Sequence, residues 1–294
     1  MAATIIDGKA IAQQIRAELA SDIAQLKAKG VVPGLGVVLV GDDPASRSYV
    51  TAKEKACHEI GIFSADHRLP ASTSQAELMA LVRRLNEDPR IHGILVQLPL
   101  PKGLDESEVL LGVDPDKDVD GFHPINVGRM VVGEKAFLPC TPHGVVQMLV
   151  RSGVRIDGAH VVVVGRSNIV GKPLANLLLQ KSPYGNATVT VCHTRTKDIG
   201  HHTLQADIVI AAAGRPNTVT ADMIRDGAVV IDVGVNRVED ASKKQGFRLV
   251  GDVDFEAVKH KASAITPVPG GVGPMTIVML LYNTVESAKR HHAV

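Results

Sequence analysis

The 294-residue sequence has no tryptophan, three tyrosines and five phenylalanines, which weakens any reading in which aromatic platforms stack on nucleic-acid bases. Cysteine is scarce as well. Cys57, Cys140 and Cys192 are odd in number and far apart, two of them in apolar runs, so reduced core or near-core thiols are expected in place of a disulfide framework. Nothing resembles a zinc pattern, and no metal is expected. Neither sign of charge dominates: 32 Lys+Arg against 31 Asp+Glu leave a net +1, which gives no electrostatic case for a nucleic-acid or membrane partner. No apolar run approaches the roughly 20 residues needed to cross a bilayer. The N-terminus also lacks a basic segment leading into an apolar core and cleavage site, so a cytoplasmic location is expected.

What is present is enough apolar material, 45% of the residues, for two domains with separate cores. The stretch from Asp43 to Gly61 reads as one helix: Asp43 caps it, Pro44 fits its first turn and Gly61 supplies a left-handed stop. Ser46, Tyr49, Lys53, Cys57 and Ile60 recur at spacings of three and four and share a stripe, while Lys55 and Glu59 point elsewhere and can pair. Lys53 therefore lies on the apolar side. Two readings stay open for it: a buried stem with its ammonium in water, or a catalytic amine beside a tyrosine.

Around this helix the pattern alternates. Ile11, Ile15, Leu19, Ile23 and Leu26 predict an amphipathic helix over 10–29. Strands are predicted at 34–40, 63–69 and 93–98, with a helix over 74–86, which calls for a parallel sheet whose ligand site lies beyond the carboxyl ends of its strands. Asp42 and Gln97 stand at two such ends. From Pro99 to Pro142 prolines, glycines and acids take over, and an irregular segment forming part of a site wall is expected, followed by a helix over 142–152.

Val161 to Gly165, then Arg166-Ser167-Asn168-Ile169-Val170-Gly171-Lys172-Pro173 and an apolar helix, form a strand, glycine turn and helix, the dinucleotide-binding arrangement. The fingerprint is imperfect, since Ser167 replaces the middle glycine and Val170 the third. A P-loop fails on spacing and on Pro173. Further strands at 188–192, 207–213 and 228–233 supply the context such a fold needs, although a plain parallel sheet with a glycine turn would show the same pattern. Where an acid would select NAD, the second strand runs into His193-Thr194-Arg195-Thr196-Lys197. With Arg166 nearby, this basic site predicts NADP, against the plainer alternative of a solvated charge run. The glycine-rich run from Pro267 to Gly273 suits a hinge and a ligand wall together, and the final helix is expected to pack back onto the first domain, leaving a cleft.

Several motifs occur together and in order: Ser46-x-x-Tyr49-x-x-x-Lys53-x-Lys55, Gln97-Leu98-Pro99-Leu100-Pro101, Lys117-Asp118-Val119-Asp120-Gly121, Pro139-Cys140-Thr141-Pro142, Gly165-Arg166-Ser167-x-x-Val170-Gly171-x-Pro173 and Pro267-Val268-Pro269-Gly270-Gly271-Val272-Gly273-Pro274-Met275-Thr276. Over essentially its whole length the chain resembles the bifunctional methylenetetrahydrofolate dehydrogenase/methenyltetrahydrofolate cyclohydrolase family. That resemblance implies an α/β protein of two domains, an N-terminal catalytic, folate-binding domain (1–140, completed by 275–294) and an NADP-binding Rossmann-type domain (141–274), with a cleft between them. It implies a homodimer too.

It further implies oxidation of 5,10-methylenetetrahydrofolate by NADP and hydrolysis of the methenyl product to 10-formyltetrahydrofolate. Lys53 is then the key group of the hydrolytic step, Gln97 places it, Tyr49 stacks on or bounds the folate, and Asp120 binds the pterin. Ser46, Leu98, Pro99, Pro267, Gly270 and Gly271 are implied as further folate contacts, and Asp118 is structural. Thr141, Gly165, Arg166, Ser167, Ile169, Val170, Gly171, His193, Thr194, Arg195, Gly214, Val235, Gly273 and Thr276 are implied to bind the cofactor. Val235 stands where many relatives have isoleucine, a change of little consequence for backbone contact. Without a P-loop, the ligase activity of larger members is not expected. The competing readings are an NADP-dependent dehydrogenase of another substrate class and a non-catalytic nucleotide-sensing module.

Overall fold

Short valine-rich runs such as Gly34–Val40 and His160–Val164 form interior strands of the two parallel sheets of the computed structural model, which describes residues 2–243 and 246–293. In chain order the elements are β1 (Thr4–Ile5), α1 (Gly8–Ala28), β2 (Gly34–Val40), α2 (Pro44–Ile60), β3 (Phe63–Leu69), α3 (Gln75–Glu87), β4 (Gly93–Val96), α4 (Glu106–Gly112), α5 (Pro124–Val132) and α6 (Cys140–Arg151). They continue with β5 (His160–Val164), α7 (Gly171–Leu179), β6 (Thr188–Cys192), α8 (Ile199–Thr203), β7 (Ile208–Ala211), β8 (Val229–Asp232), β9 (Asn236–Glu239), β10 (Phe247–Val250), α9 (Phe255–Val258), β11 (Ala264–Ile265) and α10 (Val272–His292). No helix among the described residues is long and apolar enough to cross a membrane.

The chain divides into two units. One comprises Gln13–Cys140 and the segment from Ile277 onward, around a parallel sheet of order β3-β2-β4. Every residue of β2 is buried, as its unbroken apolar run requires of a central parallel strand. Helix α3 carries a capping box, Ser74 with Glu77, and turns Leu78, Leu81, Val82 and Leu85 into the core, each worth about 1.5–3 kcal/mol of burial. In α1, Ile11, Ile15, Leu19, Ile23 and Leu26 are all buried, matching their helical spacing. Within β4, Ile94 bridges Asp118 in parallel fashion, which lays the Lys117–Asp120 run along the sheet edge. The Lys117 ammonium donates to the Leu85 and Asp88 carbonyls (3.2 and 2.9 Å), so it caps the end of α3, and burial lowers its pKa.

The other unit contains the residues up to Ala12 and Thr141–Thr276, around a six-stranded sheet of order β1-β11-β8-β7-β5-β6 whose ladders are all parallel. Its chain order reverses between β5 and β7, the switch point at which such sheets bind ligands. An antiparallel β9–β10 ribbon stands apart from that sheet.

Three expectations need correction. The irregular segment after Pro99 contains helices α4 and α5, started by the caps Asp105 and His123, the latter followed by Pro124; at seven and nine residues they are too short to show a clear apolar period. The strand expected over 93–98 ends at Val96, leaving Gln97 just past it. The first residues, assigned by sequence to the N-terminal domain, pair instead through β1 with β11, an apolar edge that the Thr4–Ile5 dipeptide satisfies with two registered residues. The N-terminal bound of that domain, residue 1, and its last, 294, lie outside the described residues.

Candidate functional site

Two groups of the sequence-selected residues come together, one in each unit. In the three-stranded unit, Asp43 caps α2 by accepting from the Ser46 amide, and Gly61 ends the helix in the left-handed conformation (φ 83°). The stripe expected along this helix is partly right: Ser46, Lys53 and Cys57 are buried, whereas Tyr49 is 45% exposed. Lys53 is only 7% exposed, so little of this side chain meets water. Its Nζ donates to Gln97 Oε1 at 3.1 Å, and Gln97 Nε2 donates to the Leu98 carbonyl at 2.7 Å. The second bond fixes the amide so that its oxygen faces the lysine. Among the described residues Gln97 is the one hydrogen-bond partner of Nζ, which leaves two of its N–H bonds uncommitted.

Asp120 completes the group. Burial pushes its carboxyl pKa up, and the nearby Lys53 charge and the Cys140 thiol pull it back. Cys140 donates to the Val119 carbonyl (3.4 Å), and burial together with Asp120 holds its thiol well above the usual range, so it is not a nucleophile. Cys57 is likewise pushed up to about 12, chiefly by burial. All three cysteines are free and buried. Asp118 accepts from the Phe122 and His123 amides and from Asn126 Nδ2, which ties the turn before α5; burial raises it to about 6 against those bonds. Leu98 is half-buried and Pro99 exposed beyond the end of β4.

A contributor that sequence reading missed is Asn283 on α10. Its Nδ2 donates to the Val119 and Leu138 carbonyls (2.8 and 3.0 Å) and so fixes the backbone that carries Asp120. The signal was an asparagine inside the apolar run from Val278 to Val285.

In the six-stranded unit, Gly165 leaves β5 with φ 143°, and a Cβ there would overlap the Ala212 carbonyl; one on Gly171 would overlap that of Gly165. Strand end and helix start approach too closely for side chains. Ser167, in the place of a glycine, turns its hydroxyl back to accept from the Val170 and Gly171 amides (3.1 and 3.4 Å), which holds the turn that a glycine-rich loop makes unaided. The amides of Ser167, Asn168 and Ile169 have no acceptor among the described residues, and Ile169 is 45% exposed. They form a ready anion cradle at the switch point.

After β6 the basic loop is closed by its own bonds: His193 N to Thr196 Oγ1, Thr196 N to the His193 carbonyl, and Arg195 N to His193 Nδ1. Thr194 and Arg195 are exposed. Arg166, Arg195 and Lys197 have no ion-pair partner among the described residues, so the donor set fits an additional phosphate. An open cavity of about 620 Å³ adjoins this loop, between Thr196–His201 and Asp222–Met223.

Gly214 lies past β7 with φ 69° and open space where a Cβ would stand, and Val235 is 46% exposed past β8. Thr141 and Thr276 share a 2.8 Å hydrogen bond, and Gly273 faces open space. Gly271 donates to the Pro267 carbonyl, which a Cβ on Gly271 would overlap, and the Gly271 carbonyl occupies the place of a Cβ on Gly8. Gly270 has φ 108°. Among the described residues no cluster could hold a metal ion.

Comparison with known proteins gives a consistent result. The profile of the tetrahydrofolate dehydrogenase/cyclohydrolase catalytic domain matches residues 6–120, and that of the NAD(P)-binding domain matches 139–292. A bifunctional protein FolD of Syntrophus aciditrophicus (strain SB) is 61% identical over 289 residues, covering 98% of each chain. The crystal structure of the bifunctional enzyme FolD, a methylenetetrahydrofolate dehydrogenase/cyclohydrolase from Campylobacter jejuni, superposes with a TM-score of 0.93 at 50% identity, over 99% of this chain and 100% of that one. The Trypanosoma brucei methylenetetrahydrofolate dehydrogenase-cyclohydrolase, solved with NADP cofactor and inhibitor, does so with a TM-score of 0.95 at 43% identity, over the full length of both.

Proposed function

Since the chain belongs to the tetrahydrofolate dehydrogenase/cyclohydrolase family, we propose that Lys53, held by Gln97 beside Asp120, is its hydrolytic centre and that the Gly165–Gly171 turn is its NADP cradle. The protein is a bifunctional enzyme: it is a methylenetetrahydrofolate dehydrogenase and a methenyltetrahydrofolate cyclohydrolase, and it uses NADP. The observation that carries the residue assignment is a lysine 7% exposed whose ammonium has, among the described residues, one fixed partner and two uncommitted N–H bonds.

The two reactions ask different things of these residues. In the first, the methylene carbon of 5,10-methylenetetrahydrofolate loses a hydride and becomes a delocalised methenyl cation. No base is needed, so the protein's work is positioning. NADP, when bound, is the hydride acceptor. Tyr49 supplies an exposed ring for the flat pterin to lie against, and Asp120 a carboxyl to accept from its N–H groups. Ser46, Leu98, Pro99, Pro267, Gly270 and Gly271 are further folate contacts in this reading. Thr141, Val170, His193, Thr194, Gly214, Val235, Gly273 and Thr276 join the cradle residues on the cofactor.

In the second reaction water adds to the methenyl carbon and one of its protons passes to a base; the bond from that carbon to one nitrogen then breaks as the hydroxyl gives up its proton to become the formyl carbonyl, and the departing nitrogen takes up a proton. A lysine is protonated at neutral pH and is no base. The cation formed in the first step opposes the charge on Lys53, and so favours the neutral amine that accepts the proton. The first product thereby prepares the base for the second step. A homodimer and a cytoplasmic location belong to the same proposal.

A paired assay tests it. Methenyl formation followed by absorbance, with NADP and with NAD, and separate decay of added methenyltetrahydrofolate without cofactor, should both give turnover. Binding of NADP without methenyl formation would overturn the enzymatic reading in favour of a nucleotide sensor.

A further inference from the structure

Two carboxylates in the six-stranded unit are buried and have no part in the chemistry above. Asp232, at the end of β8, is 2% exposed, and Asp252, after β10, is 0% exposed. Each accepts three hydrogen bonds. Asp232 Oδ1 accepts from the amides of Gly234 (3.0 Å) and Asp252 (2.9 Å), and its Oδ2 accepts from the Val253 amide (3.0 Å). Asp252 Oδ2 accepts from the amides of Ala213 (2.6 Å) and Gly214 (2.8 Å), and its Oδ1 accepts from Asn236 Nδ2 (2.8 Å).

The two are interlocked crosswise. A Cβ on Gly234 would overlap the Asp252 carboxylate, and a Cβ on Gly251 would overlap that of Asp232. Each aspartate thus sits against a glycine in the other's segment. Burying two like charges this close is costly, and burial raises Asp232 to about 6 with Asp252 adding to the rise. Such a cost persists where the geometry is needed.

What the geometry holds is the turn after β7. Asp252 reaches from a distant part of the chain to fix two successive amides, Ala213 and Gly214, at the carboxyl end of the strand that flanks the switch point. Gly214 then presents open space on its Cα side, and Ala212 presents the carbonyl that crowds Gly165. We infer that Asp252 is a positioning residue for the dinucleotide: by pinning Ala213 and Gly214 it shapes the cofactor's floor. It touches no reacting atom. The inference rests on the reading of this unit as the NADP site.

The experiment uses the full chain. NADPH affinity by fluorescence, KM for NADP in the dehydrogenase assay, and cofactor-free decay of methenyltetrahydrofolate are measured for wild type, Asp252→Asn, Asn236→Ala and the exchange Asp252→Asn/Asn236→Asp. Asp252→Asn removes the charge and sets an amide nitrogen against Asn236 Nδ2. It should weaken NADPH binding and raise KM for NADP about tenfold, with cyclohydrolase turnover within about twofold of wild type. The exchange restores a donor facing an acceptor and should recover most of the loss. Asn236→Ala gives a smaller loss of the same kind, and carries the test alone should Asp252→Asn fail to fold.

Unchanged NADPH affinity in folded Asp252→Asn overturns the inference. Equal loss of both activities, unrecovered by the exchange, also overturns it, because Asp252 would then be a plain structural acid. No NADPH binding by wild type would sink the functional reading as a whole, which separates that failure from the failure of this inference.

Discussion

The two sites differ in what they are made of. In the three-stranded unit the proposed site is concentrated in side chains: one amine, one amide and one carboxyl, each held by a specific bond or by burial. In the six-stranded unit the proposed site is spread over backbone: glycines that allow close approach, amides without an acceptor among the described residues, and a turn pinned by a buried aspartate. A side-chain site fails by loss of a functional group, whereas a backbone site fails by addition of a methyl. The contrast follows from the chemistry. Hydrolysis needs a proton acceptor of adjusted basicity, while hydride transfer needs a dinucleotide held still.

The largest expected effect is on the side-chain site. Lys53→Met should lower cyclohydrolase turnover by about a hundredfold or more and leave dehydrogenase turnover measurable in at least one direction. Equal loss of both would show that the lysine chiefly positions the folate. The mirror experiment is Gly165→Ala, whose methyl would overlap the Ala212 carbonyl and whose backbone conformation an L side chain rarely adopts. It should cost about 2 kcal/mol or more in stability and abolish NADP binding in the folded fraction, while cofactor-free hydrolysis survives. Calorimetry and the decay assay separate these outcomes.

A smaller effect tests where the backbone site gives way to side chains. Arg195→Glu should reduce the preference for NADP over NAD by about tenfold, measured as a ratio of kcat/KM values. An unchanged ratio would remove Arg195 as the phosphate partner and point to Arg166 or Lys197.

The smallest effect concerns stability alone. His92 is buried under the end of α10, with Nδ1 accepting from the Gly34 amide and Nε2 3.1 Å from His292 Nε2; burial, with His292, His291 and Lys117 adding to it, lowers its pKa to about 4. Between that value and the ordinary histidine value near 6.5 the unfolded chain binds a proton that the folded chain does not, so stability falls as pH drops through this window and is flat above it. His143, also lowered to about 4 by burial, acts in the same direction in the other unit. Melting temperatures at pH 7 and 4.5 should therefore differ by several degrees, with a shallower slope in His92→Gln. An identical slope in that variant would assign the whole effect to other groups.

How much of this was legible in the sequence depended on the same division. Strands at Gly34–Val40, Phe63–Leu69 and Thr188–Cys192 begin and end where their composition changes, and α2 starts and stops at its cap residues. Long periodic elements carry their boundaries with them. Helices α4 and α5 do not, because seven or nine residues hold too few turns for a period and their prolines and acids read as loop. The stripe on α2 identified Lys53 as misplaced, but spacing could not tell a snorkelling amine from a buried one; that depended on Gln97, which lies 44 residues away in sequence. The interlock of Asp232 with Asp252 was invisible for a related reason. Its partners come from β7, β8 and both sides of the β9–β10 ribbon, and no local pattern announces a carboxylate that accepts from distant amides.

The grouping of Gln13–Cys140 with the segment from Ile277 onward has a consequence for how the protein is made. Asn283 and Ser287, which bond the carbonyls of Val119, Leu138, His92 and Asp116, emerge from the ribosome after every strand of the nucleotide sheet. Translation at about 5–20 residues per second leaves a gap of roughly ten seconds between Cys140 and Ile277. During that gap the folate half is an unfinished shell, while the cofactor half, already holding β1, gains its remaining strands and has all of them by Ile265. The half that takes most of the first 140 residues is thus the half that finishes last, and the nascent chain's need for chaperones should peak in that interval.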